Sequence, residues 1–216
     1  MTVLITGTST GIGKATALLF LEKGDKVYGI DILNSQIENS TYTNYTHLQC
    51  DICGELPIIP EPIHLIVNNA GTDDTEMAIA TNLQALFRIE DRYVSRQTKC
   101  VVNIGSTSAY LGIENREYVA SKAGALGYTR QLAKTMSAWG GRAVSISPGP
   151  VLTVMNSRIL DCPVKRQAVA DENLLKKWIQ PSEIAKAVLF MYESESITGV
   201  DLLIDCGEHI NHNEIK

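Results

Sequence analysis

The sequence has no excess of basic residues, no long apolar run and no even set of cysteines, and no leader is expected. Of its 216 residues, 19 are Lys or Arg and 24 are Asp or Glu, a net charge of −5. Phosphate contacts need clustered cations, so this acidic balance argues against a nucleic-acid footprint. No apolar stretch nears the roughly 20 residues that span a bilayer; the longest close to the N-terminus covers residues 17–21. The chain runs from Met1-Thr2-Val3-Leu4-Ile5 straight into a glycine turn, without a signal-peptide pattern. Five cysteines are an odd count, so reduced thiols and a cytoplasmic setting are expected.

What is present is an alternation. Short apolar, β-branched runs at residues 3–5, 26–30, 64–67, 100–104, 142–146 and 200–204 read as strands, with a weaker one at 46–50 after a polar loop. Several lack polar alternation, as strands buried on both faces do. Residues 13–23, 75–96, 118–138 and 182–192 carry apolar side chains at helical spacing. The fold class expected is α/β: a doubly wound, mostly parallel sheet of Rossmann type, about seven strands with helices on both faces. Residues 54–62 hold three prolines where a crossover helix belongs, so that helix is expected to be short or missing. With no repeat, low-complexity tract or linker, residues 1–216 read as a single domain.

Thr6-Gly7-Thr8-Ser9-Thr10-Gly11-Ile12-Gly13 follows the first strand and opens the first helix. Glycines there permit a tight turn, close approach of a pyrophosphate and helix–sheet contact, while open N–H groups at the helix start face the anion. Asp31 ends the second strand, 18 residues beyond Gly13. An acid at about that distance accepts the ribose 2′-hydroxyl of a dinucleotide and repels a 2′-phosphate. No basic residue stands in the loop before Gly13 or directly after Asp31, so NAD is favoured over NADP.

Tyr118 and Lys122 lie four residues apart, on one helical face. Bringing a phenol from its ordinary pKa of about 10 to neutrality takes about 4 kcal/mol of preferential phenolate stabilisation, which a nearby cation can supply. Alone, such a pair is an ordinary surface feature. Its company changes the reading, because Ser106 lies just past the strand at 100–104, at the carboxyl edge where doubly wound sheets place ligands.

With Asn68-Asn69-Ala70-Gly71, Asn82 and Pro148-Gly149-Pro150-Val151 in the same order, the sequence resembles the short-chain dehydrogenase/reductase family, in its compact single-domain branch. The resemblance spans nearly the whole chain. It implies an NAD(H)-dependent oxidoreductase moving a hydride between nicotinamide and a secondary alcohol/ketone pair. Tyr118 would be general acid or base, Lys122 would bind the nicotinamide ribose and lower the Tyr118 pKa, and Ser106 would hold the substrate oxygen. Asn82 would hold a water in the proton relay. The cofactor would lie along Gly7, Thr10, Gly11, Ile12, Gly13 and Asp31, with Asp51 at the adenine. Asn69, Ala70 and Gly71 would back the adenosine side; Pro148, Gly149, Val151 and Thr153 would wrap the nicotinamide. Residues 154–180 would cover a small-molecule substrate, and a homodimer or homotetramer would form on the Asn82 and Tyr118 helices and the last strand. A rival reading is a nicotinamide-binding regulator or scaffold with weak catalysis.

Departures from the family pattern are the short segments before the 64–67 strand and before Asn82, a tighter 106–118 loop with Gly105 in place of a serine, and Cys206 where glycine is frequent. The trimming puts closure of the cofactor cleft in question. Cys50-Asp51-Ile52-Cys53 has metal-like spacing without a second pair, so free thiols are expected there. His209 and His212 stand in a polar tail without an acidic partner at ligand spacing, and no metal is expected. Arg158, Lys165 and Arg166 read as a solvated helix face or a site for an anionic substrate or carrier protein.

Overall fold

The computed structural model describes residues 1–38 and 40–211. The seven strands are β1 (Thr2–Thr6), β2 (Lys26–Asp31), β3 (Tyr45–Gln49), β4 (Leu65–Asn68), β5 (Cys100–Ile104), β6 (Arg142–Pro148) and β7 (Asp201–Ile204). They form one all-parallel sheet in the order β3-β2-β1-β4-β5-β6-β7. Side chains alternate across it with period two. Val3, Ile5, Val27, Val67, Val102 and Val144 meet Phe20 of α1 (Gly11–Glu22) and Ile184 and Val188 of α7 (Pro181–Glu193). Leu4, Ile30, Ile66, Val101 and Ala143 face the other way, onto Ile89 of α2 (Ala85–Tyr93) and Leu132 and Met136 of α4 (Arg116–Met136). Both faces are therefore apolar, which is why the strands read as continuous hydrophobic runs. Each large aliphatic side chain buried this way contributes about 1.5–3 kcal/mol.

The β3–β4 crossover has no helix. Its prolines lack the donors a helix needs, and the segment instead crosses as a turn at 52–53 followed by irregular loop, with Ile52, Leu56 and Ile63 plugged into the α2–α4 side of the core. Tyr93 Oη donates to the Pro57 carbonyl at 2.7 Å, and Arg88 donates to that of Gly54. The helix expected over 75–96 starts later, because residues 75–77 form a turn, and it carries a π-helical turn at Ala80–Gln84. Three helices that the apolar spacing did not show are α3 (Ser108–Leu111), α5 (Ser157–Leu160) and α6 (Pro163–Glu172). In α6 only Ala170 is buried, so there is no apolar stripe to reveal it. Among the described residues no helix is long and apolar enough to cross a membrane.

Candidate active site

In this strand order the chain reverses direction between β1 and β4, and the crevice at their carboxyl ends is where doubly wound sheets bind ligands. A cleft of about 680 Å³ opens there. Its floor is the glycine turn after β1. Gly7 and Gly11 take left-handed backbone angles, φ 75° and 54°, which glycine adopts without steric cost. A Cβ at Gly7 would sit 2.7 Å from Asn69 Nδ2, and one at Gly11 would sit 3.0 Å from Thr153 Cγ2. No side chain caps the first turn of α1, so its amide groups are left for an anion.

The β4 loop is tied to this turn. Thr6 Oγ1 accepts from the Asn69 and Ala70 N–H groups, both at 3.0 Å, while Asn69 Nδ2 donates to the Thr6 and Gly7 carbonyls at 3.0 and 3.2 Å. Asn68 donates to Asn103 Oδ1 and Asn103 to Thr129 Oγ1, at 2.8 and 2.9 Å, anchoring the β4 and β5 ends to α4. Asp31 is buried; its carboxylate accepts from the N–H of Ser9 at 2.8 Å and of Leu33 at 2.9 Å. Asp51 accepts from the Cys53 N–H at 2.8 Å. Cys50, Asp51 and Ile52 line the cleft, so the shortened crossover still supplies a wall beside β3.

At the other end, α4 begins at an Asn115 cap whose Oδ1 accepts from the Tyr118 N–H at 2.8 Å. The helix carries Tyr118 and Lys122 toward Ser106, which follows β5. All three line the cleft. Lys122 is buried; its ammonium donates to the Ile104 carbonyl at 3.0 Å and lies 5.7 Å from the Tyr118 ring centre. Burial lowers its pKa to about 8. The expected depression of Tyr118 by Lys122 is not met in the chain by itself. Burial pushes the phenol upward, the Ser106 hydroxyl opposes this, and the Glu114 and Asp73 carboxylates add to the rise. An ammonium committed to a carbonyl and offset from the phenol has little leverage on it.

Gly7, Thr10, Gly11, Ile12, Asp31, Asp51, Asn69, Ala70 and Gly71 lie along one half of the cleft wall, and Pro148, Gly149, Val151 and Thr153 border the other. Two candidates stand behind the wall. Gly13 packs against Gly7, where a Cβ would fall 2.0 Å from the Gly7 carbonyl oxygen. Asn82, in the π-helical turn, is buried: its Oδ1 accepts from the Thr72 N–H at 2.9 Å, and its Nδ2 donates to the Thr72 carbonyl and to Ser121 Oγ at 2.9 and 3.1 Å. Gly71 leaves room for this amide and for Lys122: a Cβ there would lie 3.0 Å from Asn82 Oδ1 and 3.6 Å from Lys122 Nζ.

From the 154–180 segment, Met155, Asn156, Ile159, Val169, Glu172 and Trp178 line the cleft, whereas Arg158, Lys165 and Arg166 are exposed and do not. The segment is stitched to the β6 loop by a bridge between Val151 and Ile179. Gly105 has a packing reason: a Cβ would strike Ser147 Oγ at 2.4 Å. Cys50 and Cys53 are partly buried free thiols, and burial raises Cys50. One expectation is corrected. His209 does have an acidic partner, because its Nδ1 pairs with Asp205 four residues earlier. His212 lies outside the described residues. Sequence reasoning missed Thr107, Glu114 and Glu208, which reach the cleft only because loops from β5 and β7 converge there.

Residues 60–209 match the family model described as enoyl-(acyl carrier protein) reductase. An uncharacterized short-chain type dehydrogenase/reductase of Sinorhizobium fredii is 28% identical over 95% of this chain, which spans 43% of that relative's length. An uncharacterized oxidoreductase of Schizosaccharomyces pombe is 30% identical, with 95% of this chain and 89% of that protein covered. A solved structure of 4-hydroxyisoleucine dehydrogenase complexed with NADH superposes with a TM-score of 0.84 at 26% identity, covering 96% of this chain and 98% of that one. The chain belongs to the short-chain dehydrogenase/reductase family, oxidoreductases built on a nucleotide-binding Rossmann fold.

Proposed function

We propose that this chain is an NAD(H)-dependent oxidoreductase acting on a secondary alcohol or ketone, with Tyr118 as the proton-transfer group. The observation that carries the reading is the convergence of Ser106, Tyr118 and Lys122 in the cleft that also holds the glycine turn and Asp31. The residues fit a dinucleotide: the left-handed glycines and uncapped helix start suit a pyrophosphate, and Asp31 at the end of β2 suits an unphosphorylated ribose. Asp51 would meet the adenine, and Thr153 would stand near the carboxamide.

A bound nicotinamide supplies or accepts the hydride. Ser106 donates to the substrate oxygen and holds it beside the phenol, which fixes orientation. Tyr118 gives its proton to that oxygen in reduction and takes it back in oxidation. Lys122 holds the ribose hydroxyls, and its positive charge favours phenolate once they draw it forward. Asn82, in the π-helical turn behind the wall, would hold a water in the proton relay. Residues 154–180 cover the substrate of a single 1–216 domain, and a homodimer or homotetramer would use the face of α2 and α4, where exposed Phe87 meets Tyr128 edge-on at 4.9 Å.

The test is Tyr118→Phe, assayed by NADH absorbance on a panel of alcohols and ketones with NAD and NADP. Turnover should fall by at least about a hundredfold, with NADH still bound; unchanged turnover removes Tyr118 from its role. Binding of NADH with no oxidation of any alcohol by the unaltered protein favours the regulator reading.

A further inference from the structure

We infer that the substrate end of the cleft selects a neutral, polyhydroxylated molecule over an anionic one, with Glu208 as the carboxylate that receives a substrate hydroxyl. This rests on the oxidoreductase reading above and adds the class of substrate to it.

Glu208 has a built seat. The chain leaves β7 through Asp205-Cys206-Gly207, where Cys206 and Gly207 both take left-handed angles, φ 56° and 82°. A left-handed non-glycine residue costs free energy, and here it turns the chain back over the cleft. Asp205 secures the turn by accepting from the Gly207 and His209 N–H groups at 3.0 and 2.8 Å. Glu208 then lies between the loops after β5 and β6. Thr107 Oγ1 donates to its Oε2 at 2.8 Å, and the missing side chain of Gly149 makes the space, since a Cβ there would come within 2.9 Å of the same oxygen. Thr107 adjoins Ser106, so the carboxylate stands beside the group that would hold the reacting oxygen. Thr107 uses one carboxylate oxygen; the other is the acceptor for a substrate donor.

The charge of the wall points the same way. Asp73, Glu114, Glu172 and Glu208 line the cleft, whereas Lys122, the one cation among its described lining residues, is held on the Ile104 carbonyl. Carboxylates accept hydroxyl hydrogens well and repel carboxylate or phosphate. The five basic residues of the cover, Arg158, Lys165, Arg166, Lys176 and Lys177, are exposed and off the lining. An acidic substrate would meet repulsion with no compensating cation.

The experiment uses the full chain and NAD, with initial rates for sorbitol, for gluconate (the same carbon chain ending in a carboxylate) and for cyclohexanol. Sorbitol should exceed gluconate in kcat/KM by at least about tenfold. Glu208→Gln keeps an acceptor for Thr107 but removes the charge. It should raise the sorbitol KM several-fold, leave kcat little changed and shrink the sorbitol-to-gluconate ratio; a merely structural role would lower both substrates together. If that variant melts early, Glu114→Gln is read for the same ratio. Gluconate equal to or better than sorbitol overturns the inference, as does cyclohexanol above sorbitol or a ratio unmoved by both variants. A fluorescence titration with NADH separates the failures. Bound NADH with gluconate or cyclohexanol preferred refutes only the substrate class, whereas no NADH binding and no oxidation of any alcohol refutes the oxidoreductase reading as well.

Discussion

Replacing Gly13 by alanine tests how the cofactor turn is supported. Gly13 is in the first turn of α1 but off the cleft wall, so its effect must travel through Gly7 and Asn69. The added Cβ would lie 2.0 Å from the Gly7 carbonyl oxygen and 2.5 Å from Asn69 Nδ2, against an ordinary carbon contact of about 3.5 Å. A gap of more than 1 Å must open between α1 and the turn. Two of its neighbours are the Asn69 bonds to the Thr6 and Gly7 carbonyls, at 3.0 and 3.2 Å. Overpacking of this kind costs about 1–3 kcal/mol, and losing one or two buried hydrogen bonds adds about 1 kcal/mol each. Alanine's better helix propensity returns about 0.5–1 kcal/mol. The net loss is about 1–4.5 kcal/mol, or about 2–18 °C in Tm for a chain of this size. The turn's displacement should also weaken NADH binding by at least about tenfold, read by fluorescence titration. Gly127→Ala is the control: nothing lies within 4 Å of its Cβ position, so it should gain about 0.5–1 kcal/mol. A Gly13→Ala protein with the parent's Tm and NADH affinity would refute the argument.

Asp31→Ala removes the acceptor for two backbone N–H groups and the proposed ribose contact; the preference for NAD over NADP should fall by about tenfold, and tighter NAD binding would contradict the assignment. Lys122 gives a pH signature. Its folded pKa is about 8 against an ordinary 10.5, so between those values the unfolded chain binds more protons and the residue's contribution to stability rises with pH, by about 3 kcal/mol in all. The stability difference between the parent and Lys122→Met, from urea melts at pH 8 and pH 10, should widen in the parent's favour; a flat difference would refute the burial argument. Buried Arg142 donates to the Met191, Tyr192 and Ile197 carbonyls, the first two near the end of α7, at 2.6–3.0 Å. Arg142→Leu should cost about 2–4 kcal/mol by orphaning them, and a melt within 2 °C of the parent, a loss of under about 1 kcal/mol, would show that water replaces the guanidinium.

Much of the architecture was legible because it repeats a physical rule. The central strands appear as apolar runs since the sheet is covered on both faces there, whereas edge strand β3, Tyr45–Gln49 and only partly buried, gives the weaker signal; the proline-rich 54–62 stretch correctly announced a crossover without a helix. The glycine turn, Asp31, Ser106, Tyr118 and Lys122 were legible because each stands at a strand end or on a long helix, where sequence position maps directly onto place. Local signals did exist for part of the remainder. Asn115, three residues before Tyr118, is the N-cap that sets where α4 starts, and a search for caps finds it.

Glu208 shows where such reading ends. No spacing rule relates it to Thr107, 101 residues earlier, or to the side chain that Gly149 lacks. Their meeting depends on parallel strands ending at one edge and on a turn whose left-handed angles a cysteine at 206 does not advertise. The unusual residue was visible in the sequence, yet its meaning was not, because a cysteine where glycine is frequent reads equally as neutral drift. Only the backbone angle turns that oddity into a physical statement: strain is held at Cys206, next to the turn that swings a carboxylate over the cleft. Strain that persists in a structure is maintained by what surrounds it, and here the surroundings are the Asp205 bonds on one side and the Thr107–Glu208 bond on the other. The bonds that hold this costly turn in place therefore also make the carboxylate's position definite, and it is that position, rather than the acidic composition of the chain, on which the proposed choice of substrate rests.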